Sequence, residues 1–315
     1  MNIIFMGTPD FAVESLKRID EAGHHILAVV SQPDRKSGRG MNVVPTPVKI
    51  YAESRGIKVY QPERIRKDLA LIENLKQMEP DLIVVVAFGQ ILPKSVLEIP
   101  KYGCINVHGS LLPKYRGAAP IQWSIINGDA VTGITTMYMD EGMDTGDMIE
   151  KFELSIEDSD TYGTLYEKMK VLGGKAIIST IEKIAEGKLI RNRQPEDFSI
   201  APMIEKEMGF IDWRKTSVEI RNQIRGFNPA PGAYTFIGDE KIKVWMADIL
   251  PVESDFSKVT MEPGKLITKS AKEGLIVKTG DGALKLTEIQ FPNKSKMSAE
   301  DFLRGHQIEA DAFRF

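Results

Sequence analysis

The sequence predicts an α/β protein, with a doubly wound, mostly parallel sheet first and a smaller β-barrel domain after it. Three observations lead to this prediction. Short apolar runs alternate with amphipathic helical segments through the first 190 residues, as they do when helices connect parallel strands. The run 82–88 (LIVVVAF) is continuously apolar, which is typical of a strand covered on both faces. Beyond residue 208, short β-type runs separated by turns replace this alternation.

The N-terminal domain is predicted to begin with a strand at 2–6 and a helix at 10–22, in which apolar residues have helical spacing. The last predicted helix of this domain contains Gly173 and Gly174, so we expect a break or kink there. The other predicted strands cover 25–30, 57–60, 82–88, 104–107 and 133–139, and the predicted helices that follow the first cover 68–78, 120–127 and 161–186.

The second domain is predicted to start after a linker. Residues 191–207 are polar, contain two prolines and have no clear periodicity, which is typical of a linker. We therefore divide the chain into a domain at 1–190, a linker at 191–207 and a domain at 208–315. The second domain is predicted to contain strands at 234–237, 243–246, 274–279 and 284–289, and helices at 216–225 and 299–303.

Composition excludes several classes of protein. The chain has 315 residues and a net charge of −3, so its overall charge requires neither nucleic acid nor a membrane surface as a partner. Cys104 is the only cysteine, which excludes an internal disulfide and a thiolate metal cluster. The N-terminal run lacks a signal peptide's basic start, and the longest charge-free apolar run, 82–93, is too short to span a bilayer. We expect a cytoplasmic protein with no DNA or membrane partner.

Asn106 and His108 are the most informative polar residues. They lie two positions apart at the end of an apolar run, just before a loop rich in Gly and Pro. Side chains at i and i+2 leave a strand on the same face, so an amide donor and a proton-transfer group are expected to converge. Such a pair suits acyl transfer, in which an oxyanion develops. The alternative is a loop histidine that only satisfies backbone carbonyls.

A carboxylate would complete the set by fixing the tautomer of the imidazole and stabilising its charged form. The acidic segment 139–147 offers four candidates, Asp140, Glu141, Asp144 and Asp147, and the glycines at 142 and 146 on either side of Asp144 would let the backbone come close there. We expect the preceding strand, 133–139, to end at the same sheet edge as His108. An acidic surface turn is the alternative, and a metal site is disfavoured because no second cluster has ligand-like spacing.

Two further loops have features in common with loops that bind dinucleotides or phosphates. The turn at 7–10 (GTPD) lacks the glycines of a dinucleotide loop, which argues against a nicotinamide enzyme. The loop at 31–46 carries Arg35, Lys36 and Arg39 among small residues, and such a loop can follow phosphates. A solvated loop without a partner is the alternative.

Eight different short motifs are distributed along nearly the whole chain. They are GTPDFA at 7–12, QPDRKSGRG at 32–40, PVKIYA at 47–52, NVHGSLLPKYRGAAPIQ at 106–122, MDTGDM at 143–148, IDW at 211–213, FNPAPGAYT at 227–235 and KVW at 243–245. Together they resemble the folate-dependent formyltransferases. The resemblance implies a Rossmann-like formyltransferase fold, an OB-like second domain, 10-formyltetrahydrofolate as the co-substrate and no metal.

The resemblance also implies roles for individual residues. Asn106, His108 and Asp144 would be catalytic. The residues implied at the folate site are Ser110, Leu111, Leu112, Pro113, Val86, Phe88, Gly89 and Asp140, the 86–89 segment acting through its backbone. The 32–40 loop and the C-terminal motifs resemble family members that formylate initiator methionyl-tRNA, which implies a monomer whose Arg35, Lys36 and Arg39 contact the tRNA.

Other functions remain open on the sequence alone. A formyltransferase for a sugar-nucleotide amine or a purine-pathway amine would have the same centre, and so would a formyltetrahydrofolate hydrolase. A non-catalytic RNA-binding module would leave the 106, 108 and 144 set unexplained. Its aromatic stacking platform is also not evident in the sequence of the second domain.

Overall fold

The structure is a computed structural model and describes residues 1–37, 42–251, 254–256 and 258–314. The described residues form two compact units. The first comprises Met1–Pro120, Val131–Ser155 and Tyr166–Ala201, and the second comprises Ile121–Ala130, Ile156–Leu165 and Pro202–Phe315. Two short segments that we had placed in the first domain therefore cluster with the second unit. These segments are too short for composition to indicate their membership.

Up to residue 201 the described residues form eleven strands, six helices and a 3-10 turn at Ile65–Lys67. The strands are β1 (Asn2–Gly7), β2 (His25–Val30), β3 (Arg35–Ser37), β4 (Asn42–Val44), β5 (Val59–Tyr60), β6 (Leu82–Val86), β7 (Cys104–His108), β8 (Arg116–Gly117), β9 (Val131–Tyr138), β10 (Met148–Ser155) and β11 (Ile200–Ala201). The helices are α1 (Asp10–Glu21), α2 (Pro47–Ser54), α3 (Leu69–Gln77), α4 (Lys94–Leu97), α5 (Pro120–Ile126) and α6 (Tyr162–Ala185).

Seven of these strands form one sheet in the order β10-β9-β7-β6-β1-β2-β5. Five adjacent strands of this sheet are parallel: β7, β6, β1, β2 and β5. The remaining two, β9 and β10, are antiparallel to their neighbours. The chain builds outward from β1 to β2 and β5 on one side and returns to add β6 and β7 on the other. Such a reversal leaves a crevice at the carboxyl ends of the strands. The predicted mostly parallel α/β sheet is confirmed.

The central strands are buried on both faces, as the apolar run at 82–88 had predicted. That run ends as a strand at Val86, because Ala87 has a φ of +46° and turns the chain away from the sheet. On one face, side chains of α3 and α4 form a core cluster with β1, β6 and β7 that includes Ile4, Val85 and Cys104.

The predicted break in the long helix is wrong, because α6 is continuous from Tyr162 to Ala185. Its glycines bring the helix close to its neighbours. A Cβ atom at Gly173 would lie 3.3 Å from Val107 Cγ1 of β7, and one at Gly174 would lie 2.6 Å from Arg18 Cδ of α1. Glycine is therefore present in this helix for close packing, and α6 supports the strand that carries Asn106 and His108.

The second unit contains an antiparallel sheet. Its strands are β12 (Ala233–Ile237), β13 (Glu240–Ile249), β14 (Leu266–Ser270), β15 (Gly274–Lys278), β16 (Ala283–Gln290) and β17 (Met297–Ser298), and its helices are α7 (Ser217–Gly226) and α8 (Ala299–Gly305), with a 3-10 turn at Lys206–Gly209. The strand order is β12-β13-β16-β15-β14, and β17 pairs with β16. The core of this unit includes Trp213, Leu275 and Leu286, all fully buried.

The end of the chain connects the two edges of this sheet. Arg314 N–H donates to Phe236 O of β12, and Leu266 N–H of β14 donates to Asp311 O, both at 2.9 Å. Residues 311–314 thus satisfy backbone groups on both edge strands, which is how barrels avoid exposed edges. This arrangement is consistent with the predicted barrel.

The segment predicted as a linker, 191–207, makes regular backbone pairings at Asn192 and at Ile200–Ala201. Asn192 exchanges backbone hydrogen bonds with Met148 at 2.8 and 2.9 Å, and β11 pairs in parallel with β8. Gln194 is buried. The polar composition of the segment reflects side chains that bond inside the first unit, as described below. Within the described ranges, no helix has the length and apolar character needed to cross a membrane.

Candidate active site

Strand β7 carries the first two candidate side chains on one face. Asn106 and His108 share this face with Cys104, which packs against the α3 and α4 side of the sheet, because alternate residues of a strand point the same way. Val107, between them, faces α6. His108 is the last residue of the strand, so it reaches the carboxyl edge of the sheet, where the crevice lies.

Asp144 reaches the same place by a route that the sequence had not predicted. Strand β9 is antiparallel to β7, and Tyr138 at its end pairs with Ile105 near the start of β7. The expectation that this strand ends at the edge of His108 is therefore wrong. The segment between β9 and β10 folds back along the face of the sheet, and in this way the carboxylate of Asp144 returns to Asn106 and His108.

The three side chains converge on one another. Asn106 Nδ2 donates to Asp144 Oδ1 at 3.4 Å, and His108 Nδ1 lies 3.7 Å from Asp144 Oδ2. The same Oδ2 accepts a hydrogen bond of 2.8 Å from the backbone N–H of Gly117. The side chain of His108 is 6 % exposed and that of Asp144 is 17 % exposed. A small, largely desolvated polar centre results, in which electrostatic interactions are stronger than in water.

The ring of His108 has a defined orientation. Its Nε2 lies 2.9 Å from the carbonyl oxygen of Tyr115, and a carbonyl oxygen only accepts, so this nitrogen carries a hydrogen. Nδ1 therefore faces the Asp144 carboxylate, across a gap longer than a hydrogen bond. An oxygen atom therefore faces each ring nitrogen, and the ring is held in one orientation.

The loop after β7 is held by its own buried polar groups. Ser110 Oγ donates to Lys114 O at 2.6 Å, and Thr135 Oγ1 donates to Ser110 O at 2.7 Å and accepts from Leu112 N–H at 3.0 Å. Ser110 and Leu112 are completely buried, so their side chains shape the loop. Leu111 and Pro113 are partly exposed and are the members of this tetrad whose side chains a ligand could touch.

The segment 86–89 offers mainly backbone to a ligand. Val86 and Phe88 are buried, whereas Ala87 and Gly89 between and after them are exposed. Both exposed residues have positive φ angles, +46° and +79°. Gln32 Nε2 donates to Phe88 O at 3.2 Å and to Gly89 O at 3.1 Å, which holds this turn at the carboxyl edge of the sheet.

Asp140 lies in the same returning loop as Asp144 and is exposed. Its Oδ1 accepts hydrogen bonds from Gly142 N–H at 3.0 Å and from Thr145 Oγ1 at 2.7 Å. Asp140 therefore closes the turn that leads to Asp144. Its predicted contact with the pterin ring stays a prediction.

The basic loop forms a small hairpin, in which β3 pairs antiparallel with β4. Arg35 is exposed, and the backbone of Lys36 pairs with Val43. Arg39, also predicted to contact tRNA, lies outside the described residues. At the root of the hairpin, Lys49 Nζ donates to Asp34 Oδ2 at 2.6 Å. This hydrogen bond is the main cause of a lowered pKa of the Asp34 carboxyl.

Arg116 and Gln194 belong to the site, although sequence reasoning missed both. Gln194 Nε2 donates to Asp144 O at 2.7 Å, and Gln194 Oε1 accepts from Arg116 Nε at 2.9 Å and Nη2 at 2.7 Å. No periodicity marks Gln194, which lies in a polar stretch 50 residues after Asp144. Among the residues that the structure describes, no group of three or more His, Cys, Asp or Glu side chains could hold a metal ion.

The sequence matches two families. Residues 1–181 match the family described as formyl transferase, and residues 203–307 match the family described as formyl transferase, C-terminal domain. The chain is 50 % identical over 309 residues to the methionyl-tRNA formyltransferase of Caldanaerobacter subterraneus, covering 98 % of each protein. It is also 50 % identical over 310 residues to the methionyl-tRNA formyltransferase of Clostridioides difficile, again covering 98 % of each.

Solved structures share the fold at lower identity. An N-formyltransferase from Helicobacter canadensis, in complex with folinic acid and dTDP-3-aminofucose, has a TM-score of 0.65 and 23 % identity over 92 % of this chain and 99 % of its own. HypX from Aquifex aeolicus, in complex with tetrahydrofolic acid, has a TM-score of 0.63 and 16 % identity over 99 % of this chain and 50 % of its own.

Proposed function

This chain belongs to the formyl transferase family, and on that premise we propose that it transfers the formyl group of 10-formyltetrahydrofolate to the α-amine of initiator methionyl-tRNA. The observation that carries the proposal is the 50 % identity to methionyl-tRNA formyltransferases along both domains. The convergence of Asn106, His108 and Asp144 supplies the chemistry that such a transfer needs. We expect the enzyme to act as a monomer in the cytoplasm, where charged tRNA is used.

The residues of the crevice fit a formyl-folate. A pterin ring presents hydrogen-bonding edges and two apolar faces, and the exposed backbone at 87 and 89 offers N–H and C=O groups at the sheet edge. In the loop after β7, Leu111 and Pro113 supply partly exposed apolar surface. This combination of apolar lining and few polar groups is usual for small-molecule sites. When bound, the formyl-folate supplies an activated one-carbon group on N10.

Asn106 and protonated His108 stabilise the negative charge that develops on the formyl oxygen when the amine attacks. Such a preorganised donor contributes about 3 kcal/mol in comparable sites. The attack forms the new bond from the α-nitrogen to the formyl carbon and breaks the bond from that carbon to N10. Protonated His108 gives a proton to N10 as this bond breaks and then takes up the proton that the amine nitrogen loses, in each case directly or through a water molecule. Asp144 orients His108 and balances its charge.

The basic loop at 31–46 is proposed to contact the tRNA through Arg35, Lys36 and Arg39. Basic side chains in a loop can bind phosphates without reading bases. The C-terminal unit is proposed to help hold the tRNA. Its β12 face carries Tyr234 and Phe236, with Lys241 Nζ 3.4 Å from the ring centroid of Tyr234. Aromatic rings combined with cations are suited to nucleic acids.

One assay tests this proposal against its alternatives. The protein is supplied with 10-formyltetrahydrofolate and, in separate reactions, with charged initiator tRNA, with a sugar-nucleotide amine or with water alone. The proposal predicts rapid formylation of the charged tRNA only. Faster formylation of the sugar amine would identify a sugar-nucleotide formyltransferase, and rapid release of formate without an amine would identify a hydrolase.

A further inference from the structure

Asp144 occupies a backbone conformation that needs support. Its φ is +55°, which is unfavourable for a residue with a Cβ atom and persists only where the surroundings enforce it. It also lies in the loop between β9 and β10, which leaves the sheet beside the start of β7 and folds back toward the end of that strand. Asp140 closes the start of this loop from within, but Asp140 does not bond Asp144 itself. The support for Asp144 comes from elsewhere in the chain.

Gln194 supplies part of that support. Its Nε2 donates to the carbonyl oxygen of Asp144 at 2.7 Å and to that of Gly146 at 2.8 Å. The side-chain amide of glutamine has two N–H donors, and these two carbonyls use both. Gln194 thus binds the backbone of Asp144 and that of Gly146, two residues later. The backbone N–H of Gly117 binds the carboxylate of Asp144.

Arg116 fixes the orientation of the Gln194 amide. Its Nε and Nη2 donate to Gln194 Oε1 at 2.9 and 2.7 Å. Because a guanidinium can only donate, the amide oxygen must face Arg116 and the amide nitrogen must face the Asp144 turn. Both side chains are buried. Within the described part of the chain, the Arg116 guanidinium forms no ion pair, and its Cζ lies 4.4 Å from the ring centroid of Phe198.

A buried cation bound to a neutral amide has a specific consequence. The positive charge polarises the amide and strengthens its N–H groups as donors. Arg116 also immediately precedes Gly117, so β8 contributes both the guanidinium that orients Gln194 and the N–H that binds the Asp144 carboxylate. The backbone of Asp144 and its side chain are therefore held from the same short strand.

We propose that Arg116 and Gln194 are positioning residues for catalysis, which set the place of the Asp144 carboxylate relative to His108 and Asn106. They touch neither substrate and act only through Asp144. This inference rests on the proposed function, because it assigns a purpose to the pair only if Asp144 takes part in formyl transfer.

Gln194→Glu tests the pair with little change of shape. Glutamate can still accept from Arg116, but it has no N–H for the carbonyls of Asp144 and Gly146. We expect kcat to fall on the order of 10- to 100-fold, as it does when a reacting group is displaced by about an ångström. KM for the folate and for the tRNA should be unchanged.

Gln223→Glu is the matched control. Gln223 Nε2 donates to two carbonyls two residues apart, Met208 O at 2.8 Å and Phe210 O at 3.0 Å. The substitution therefore removes the same two hydrogen bonds from a loop of the second unit. Gln223 Oε1 has no hydrogen-bond partner among the described residues, so a glutamate there lacks the cation that it meets at 194, and thermal stability should fall at least as much as in Gln194→Glu. An unchanged kcat in this variant then separates a positioning role from simple destabilisation.

The amide proton of Gly117 reports directly on the Asp144 carboxylate. In an NMR spectrum its resonance should lie downfield in the wild type, because it donates to a charged acceptor. It should move upfield in Gln194→Glu and remain in place in Gln223→Glu. Asp144→Asn provides the reference position for a Gly117 amide without a charged partner.

Two outcomes overturn the proposal, and they differ in what else they reject. If Asp144→Asn keeps wild-type kcat, the proposed catalytic set fails and the pair has no purpose. If Asp144→Asn is inactive but Gln194→Glu keeps its kcat within twofold and its Gly117 resonance in place, only the positioning role fails. If Gln194→Glu does not fold, Arg116→Lys is measured instead, because lysine keeps the positive charge but not the planar guanidinium. We expect its kcat to fall roughly 10-fold and its Gly117 amide resonance to move upfield.

Discussion

The carboxylate of Asp144 and the backbone N–H of Gly117 form a hydrogen bond of 2.8 Å. This contact ties the loop between β9 and β10 to β8, and it directs Oδ2 toward His108 Nδ1, 3.7 Å away. Gly117 has a φ of +117°, and a Cβ atom there would lie 2.8 Å from the carbonyl oxygen of Ala201. The position therefore admits only glycine without a shift of the backbone.

Gly117→Ala is expected to reduce both stability and activity. Backbone strain alone should lower the free energy of unfolding by about 1–3 kcal/mol, and the displaced N–H should leave Asp144 misplaced. Urea unfolding and kcat measure the two effects. Gly187→Ala is the control, since Gly187 also has a positive φ, +67°, but open space around its Cβ position. A Gly117→Ala variant with full activity would contradict this role of the N–H.

His108→Ala and Asn106→Ala are each expected to lower kcat by about 100-fold or more, the typical cost of removing one oxyanion donor or proton-transfer group. Circular dichroism and thermal unfolding should show that both variants fold. Val107→Ala, which shortens the buried residue between them on the opposite face of β7, is the matched control; it should lower thermal stability but retain most activity. Near-wild-type kcat in both His108→Ala and Asn106→Ala would reject the assigned site.

Much of this fold was predictable because apolar periodicity records burial. The strands around β1, β6 and β7 and the helices α1, α3 and α7 lie within a few residues of their predicted positions. Strand β10 was not predicted. Its first residues are buried and then its exposure alternates, so its sequence MIEKFELS lacks the continuous apolar run of a central strand. The antiparallel pairing of β9 with β7 explains why the route to Asp144 was predicted wrongly.

The supporting residues of the site were not predictable in the same way. Gln194 lies in a polar, proline-containing stretch whose composition is typical of a linker, yet its amide is buried and fully bonded. A polar side chain that satisfies distant backbone groups leaves no periodic trace in the sequence. The glycines of α6 were misinterpreted for a related reason, because close approach to Val107 is a tertiary property.

Arg35→Ala and Arg39→Ala are expected to raise KM for the charged tRNA several-fold and to leave KM for the folate unchanged. Each lost phosphate contact should also reduce the slope of log affinity against log salt concentration by about 1. Tritium-labelled formyl transfer at several salt concentrations measures both. Lys17→Ala, which removes an exposed lysine of α1, is the charge-matched control. An unchanged KM for the tRNA in both arginine variants would contradict the proposed contact of these residues with the tRNA.

The Asp34–Lys49 pair should make the hairpin root sensitive to acid. The hydrogen bond from Lys49, with a second from Gln61, holds the pKa of the Asp34 carboxyl below its ordinary value of 3.8. A lowered folded-state pKa stabilises the protein above the unfolded-state pKa, and this contribution is lost as the pH falls through the folded-state pKa. The pair is partly exposed, so we expect at most about 1 kcal/mol.

Asp34→Asn tests this contribution. At pH 7 the variant should be less stable than the wild type, and the difference should shrink as the pH is lowered below the ordinary pKa of aspartate. Urea unfolding at pH 7 and at pH 3 measures it. Asp239→Asn, at a fully exposed carboxylate, should change stability little at either pH. A difference for Asp34→Asn that grows toward low pH would have the wrong sign.

The most direct test of the central claim is single-turnover formyl transfer by wild-type protein and by Asp144→Asn, each saturated with 10-formyltetrahydrofolate and mixed with charged initiator tRNA. Asparagine keeps the shape of the side chain and can still accept from the Gly117 N–H, but it carries no charge to balance His108. The account predicts that the variant binds both substrates normally and forms formylmethionyl-tRNA at least about 100-fold more slowly. Equal single-turnover rates for the two proteins would contradict it.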